Sequence, residues 1–256
     1  MLLPLRVASL FHQEDLLRKR ALLIVGSDPE LQAHLRIAEA VMDICDVWRQ
    51  FETFDEDQRV TQIFGMRIFN AFGACMRLAL HGYHQNAAII LRDILEMTAL
   101  LDLFARDKRH VAKWRENQAK ERPDARLYTP IKVRLMLEEW EKHELPEKQA
   151  QWKGERRQNR YKMLSELAAH VSMKSDLMMR PQIESDAYIG PFIEKGTLTS
   201  IVQEMGMCAG EVGITLGQFV PAQWTRGADA RLIFIHEFEQ WMRQVYPQTN
   251  FSVPWS

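Results

Sequence analysis

The chain has 256 residues, enough to bury one sizeable core or two small ones. It is 46% hydrophobic and 26% charged with few Gly and Pro, which excludes disordered and fibrous classes. A formal net charge of -1 supplies no global attraction to nucleic acid or to an anionic membrane.

The N-terminus MLLPLRVASLF is apolar but broken by Pro4 and Arg6, and it lacks a basic region followed by a small-residue cleavage site, so it does not read as a signal peptide. Leu10 to Val25 reads as a short amphipathic helix ended by GSDP at 26–29. Asp28 and Pro29 suit the cap and first position of a second helix, about Glu30 to Phe54. Asp55 or Asp57 opens a long helix through Leu80, apolar on most sides. After the turn HGYHQN comes the helix of residues 82–104. Three shorter charged helices follow at about 108–121, 130–144 and 146–171, bordered by Pro123, Pro130 and Pro146. Residues 176–193 lack a period and read as a loop with at most one short extended segment. Two last helices lie near 195–220 and 227–245, and the tail NFSVPWS reads as extended.

This predicts one all-α domain over 1–256, a multi-helix bundle of seven to nine helices. Its parts are N-terminal helices 1–56, a core of about 57–175 and a C-terminal helical pair 195–246. The second-last helix carries Gly206, Gly210, Gly213 and Gly217 on one face, which predicts a neighbouring helix packed very closely there.

Cys45, Cys75 and Cys208 are far apart and odd in number, so no disulfide framework or CxxC pair is expected and a reducing, cytoplasmic setting is. No uncharged apolar run reaches the ~18 residues of a membrane span, so no membrane partner is expected. Phosphate-loop, dinucleotide, GxSxG and HExxH motifs are absent, and neither a cofactor nor a metal is expected. His81 and His84 form an HxxH with no carboxylate at ligand spacing.

Arg92 and Glu96 lie four residues apart in helix 82–104. At about 100° per residue they share a polar arc with Gln85, Asp93 and Asn86, but Ile89 and Leu100 interrupt it. The pair reads as a solvated face, an ion pair locking helices together, or a site.

Gly82-Tyr83, Ala87-Ala88, Leu91-Arg92 and Leu95-Glu96, followed by Tyr161, Leu164, Ser165 and His170 in YKMLSELAAH, resemble two elements of a family of uncharacterised bacterial helical proteins. That family looks like a distant branch of the HEPN superfamily, and the resemblance spans about 60 to 175. It implies a helical bundle, often a homodimer, whose active members cut RNA without metal at an Arg-x(4–6)-His motif in toxin or phage-defence systems. There His acts as acid or base and Arg holds the phosphate. The resemblance puts His170, Ser165 and Arg160 forward as catalytic candidates. The motif is degenerate here: Ser165 stands five residues before His170, where an Arg is called for, and Arg160 stands ten before. A bare match, Arg231 to His236, lies in the last helix.

Residues 106–162 hold 17 Lys/Arg against 10 Asp/Glu. The excess sits in 106–134 at +6 and 153–162 at +4, with -3 between. Interleaved aromatics make Arg156, Arg157, Trp114 and Trp152 candidate contacts for single-stranded RNA. The leading expectation is an interaction or regulatory protein on a HEPN-like scaffold that handles RNA. The alternatives are an active HEPN-type ribonuclease and a small-molecule-binding protein with its pocket between helix 82–104 and the Gly-striped helix.

Overall fold

Caps and turns divide the chain much as its Asp, Pro and Gly residues suggest. The computed structural model describes residues 5–169 and 190–248, among which there are nine α-helices, one π-helical turn and no strand. The helices are α1 (Leu5–Gly26), α2 (Pro29–Arg49), α3 (Glu56–Leu80), α4 (His84–Arg106), α5 (Arg109–Gln118), α6 (Pro130–Glu144), α7 (Glu147–Leu164), α8 (Lys195–Leu216) and α9 (Thr225–Val245). The π-helical turn Ser165–Ala169 continues α7. The protein is an all-α multi-helix bundle, as its periodicity predicts.

Three helices start where side chains satisfy the free N–H groups of the first turn. Asp28 accepts from the Glu30 and Leu31 amides at 3.1 and 3.3 Å, with Pro29 in the first turn of α2. Asp55 does the same for α3, and Thr129 with Pro130 for α6. Helix α2 stops at Arg49, short of the expected Phe54. Gln62 of α3 donates to the Trp48 and Phe51 carbonyls at 3.0 and 2.7 Å and so satisfies that end. Helix α1 starts at Leu5 and buries only Ala21 and Val25, so most of its apolar residues are exposed. The expected loop at 176–193 falls outside the described residues except for 190–193, which are irregular, and the tail beyond 248 also lies outside them.

Helix α8 forms the centre. Leu198, Val202, Met205, Ala209, Val212 and Leu216 are all buried, and α2 and α4 pack along it. The glycine stripe works differently from the expectation of one close helix. A Cβ at Gly206 would collide with His34 of α2, whereas a Cβ at Gly213 would fall inside the Phe234 ring of α9. At Gly210 it would sit 3.1 Å from Phe238 and 3.2 Å from Trp241. Along α9 the stripe therefore admits aromatic rings rather than a second backbone.

Helix α3 is long and apolar enough, by length and composition, to cross a membrane. Phe64, Ile68, Phe72 and Cys75 on it are buried in the bundle, which packs α3 against α2 and α4. Helices α6 and α7 form an antiparallel pair beside α4. Helix α7 faces α8 across a gap that long side chains span, and that gap is the candidate site.

Candidate ligand cleft

The Gly82-to-Glu96 element divides into structural residues and cleft residues. Gly82 has φ +87°, and a Cβ there would sit 2.5 Å from the Phe192 carbonyl oxygen, so only glycine fits this turn. The Tyr83 hydroxyl donates to Glu14 and ties down α1. Ala87, Ala88 and Leu91 are wholly buried. Arg92 and Glu96 stand 3.1 Å apart with side chains 23% and 28% exposed. Arg92 Nη2 donates to the Tyr161 hydroxyl at 2.8 Å and its guanidinium lies 5.0 Å from that ring centroid. The pair is a half-buried lock between α4 and α7, and Glu96 also lines the cleft behind it.

That cleft, of about 480 Å³, lies between α4, α6, α7 and α8. A cavity of this size suits a small organic molecule. Leu95, Ala99, Val133 and Ile214 give it apolar walls. Its polar walls are ion pairs. Arg157 grips Glu141 with two bonds of 2.6 and 3.3 Å, and the Glu141 side chain is only 1% exposed. Arg106 pairs with Asp102 at 3.0 Å and covers the Trp140 ring at 4.0 Å. Arg134 pairs with Glu138. Across the gap, Glu211 of α8 receives both Arg156 at 3.1 Å and Arg160 at 2.7 Å, and Arg160 also holds Glu204.

Among the lining groups and their ion-pair partners, seven cations meet six carboxylates. The excess cation is Lys153, which makes no ion pair among the described residues. Nε of Arg106 is buried without an acceptor among the described residues, and Nε of Arg134 reaches only the Glu138 carboxylate at 3.5 Å. A buried N–H left without an acceptor costs free energy that a ligand acceptor would recover. Burial pushes the Cys208 thiol up to about 12, so it stays protonated beside Arg160, whose Nη2 lies 3.1 Å from the sulfur. Burial also opposes the charge of Arg160, but the Glu211 and Glu204 carboxylates hold its pKa above the usual value. With the thiol protonated, the two carboxylates balance that guanidinium.

Among the residues singled out by sequence, Arg156, Arg157, Arg160, Tyr161, Glu96 and Trp152 converge on this cleft. Trp114 does not: its partly buried ring packs edge-on against Phe64 and Phe104 at 5.3 and 6.3 Å, at the edge of the core. Its spacing of three from buried Val111 marks that inward face. Ser165 is buried at the start of the π-helical turn, with no partner for its hydroxyl among the described residues. His170 lies outside the described residues. Arg231 donates to the Val220 carbonyl, and His236 is exposed beside Gln240. His81 bonds the Arg77 carbonyl and His84 is buried against Phe192, and no group of three or more metal-ligating side chains occurs among the described residues.

Glu141, Glu211, Arg106 and Arg134 escaped sequence reasoning. One signal was available for the first of them. The acidic stretch 135–152 and the basic stretch 153–162 meet across a helical hairpin, where opposite charges must face. Searches of protein-family models, curated proteins and solved structures found no match for this chain.

Proposed function

We propose that this protein binds a small organic anion in the cleft between α4, α6, α7 and α8, and that its role is regulatory or interactive rather than catalytic. The observation that carries this reading is the cleft wall: apolar side chains interleaved with arginines, one cation in excess, and a buried Arg106 N–H lacking an acceptor among the described residues. Each lining carboxylate is held by an arginine, Glu96 by Arg92, Asp102 by Arg106, Glu141 by Arg157 and Glu211 by Arg156 and Arg160. A carboxylate so engaged is poorly placed to take up a proton from a substrate. The HEPN-like resemblance supports the helical scaffold, and the engaged state of Arg160 argues against the ribonuclease alternative.

A second reading, single-stranded RNA in the same cleft, is favoured by one feature. Trp152 is 57% exposed at the rim, and the Arg156 guanidinium lies 5.3 Å over its ring. The test is calorimetric titration of the full chain with 2-naphthoate, a flat monoanion, and in parallel with a short single-stranded RNA. The reading expects one naphthoate site, weakened at least tenfold by Arg156→Gln. RNA binding with no naphthoate binding would overturn it in favour of the second reading. Degradation of an RNA pool without metal, lost in His170→Ala, would overturn the non-catalytic role.

A further inference from the structure

A second space of about 350 Å³ adjoins the cleft on the α9 side. Met207, Phe238, Trp241, Met242 and Tyr246 line it, and Gly210 leaves room for the α9 rings. The two spaces share Trp152, Arg156, Glu211 and Ile214, so the partition between them is the Arg156–Glu211 ion pair beside a tryptophan. Those two side chains are 39% and 36% exposed, and an ion pair this open is weak.

Opening the partition frees an exposed cation without leaving a carboxylate alone. Freeing Arg157 would leave Glu141 buried and alone, and Arg160 is itself only 8% exposed. Freeing Arg156 leaves Glu211 paired with Arg160, which keeps Glu204 as well. Arg156 and, one turn away, Lys153 are thus the cations available to a ligand. A ligand carboxylate taking the place of Glu211 on Arg156 would stand at the mouth of an aromatic and methionine-lined space, and methionine adapts readily to flexible apolar chains.

We propose that the ligand is an amphipathic monoanion whose head group pairs with Arg156 and Lys153 and whose aliphatic chain enters the space between α7, α8 and α9. This rests on the anion-binding reading of the cleft and adds the chemistry of the ligand's remaining part.

The test is titration of the full chain with n-alkanoates from hexanoate to dodecanoate below their micellar concentrations, with matched n-alkanols and with 2-naphthoate. Affinity for the alkanoates should rise roughly fourfold per methylene until the space is filled. Alkanols should bind at least tenfold more weakly. Met207→Trp should flatten the chain-length series while leaving 2-naphthoate binding in place, and Met242→Trp serves the same purpose where the first variant loses its helical circular dichroism. Arg156→Gln should weaken alkanoates about tenfold and leave alkanols unchanged. Naphthoate binding with a flat alkanoate series would overturn this inference and leave the cleft reading standing. Failure of both ligand types would overturn both. Alkanols binding as tightly as alkanoates would overturn the assignment of the head group to Arg156.

Discussion

Replacing Arg157 by Met tests whether the cleft wall is held together by its charges. Glu141 is 1% exposed and takes two bonds from Arg157, at 2.6 and 3.3 Å, while the Arg157 side chain is 22% exposed. Removing the guanidinium strands a buried carboxylate. Breaking a fully buried pair costs about 3–5 kcal/mol, and access of water through the cleft lowers this to roughly 2–4 kcal/mol. At about 2–4 °C per kcal/mol for a chain of this size, the loss in Tm is roughly 4–16 °C. The double variant Arg157→Met with Glu141→Met removes both charges and leaves an apolar contact of similar volume. It should recover most of the stability, because the penalty comes from the lone charge rather than from the missing pair. Urea denaturation of the single and double variants measures both effects. A single variant within about 0.5 kcal/mol of the parent, or a double variant no more stable than the single, would refute the reasoning.

Gly213→Ala should lower stability by roughly 2–4 kcal/mol, since its methyl group would occupy the Phe234 ring position, whereas Gly73→Ala, whose nearest neighbour is Met42 at 4.0 Å, should raise it by about 0.5–1 kcal/mol; thermal denaturation of the two variants checks the contrast. Burial pulls the His84 imidazole down to about 4, against the opposing Phe192 carbonyl and Glu194. The unfolded chain takes up a proton near pH 6.5 and the folded one does not, so His84's contribution is intact above pH 6.5 and drains as pH falls toward 4, by up to roughly 3 kcal/mol. Denaturation across that window should show a shallower pH slope in His84→Gln; an unchanged slope would contradict the assignment. A slope remains from His34, which burial also lowers.

Local signals carried well into the fold, and long-range ones did not. Asp28 with Pro29, Asp55, and Thr129 with Pro130 act within one turn of where they stand, so their helix starts are readable. Helix α4 alone left Arg92 and Glu96 as a solvated face, an ion pair locking helices or a site, and the bond from Arg92 to Tyr161 that joins α4 to α7 is a tertiary contact. The glycine stripe announced that something approaches closely. Which side chains approach depends on Phe234, Phe238, Trp241 and His34, brought from α9 and α2 by tertiary packing alone. A pocket between helix 82–104 and the Gly-striped helix was one of three readings, and α4 and α8 do flank the cleft. Its other walls, with Glu141 and Arg134, come from the α6–α7 hairpin, which sequence presented only as a charged segment. Trp114 and Trp152 looked alike in that segment. Burial against Phe64 and Phe104 separates the first from the second.

The most direct test of the central claim is titration of 2-naphthoate into the parent protein and into Ala99→Trp, which fills the cleft from α4 and leaves every cleft charge in place. The account predicts one site per chain in the parent, weakened by added salt, and no measurable binding in the variant, with both proteins equally helical by circular dichroism. Equal affinity in the two proteins, or no binding in the parent, would contradict it.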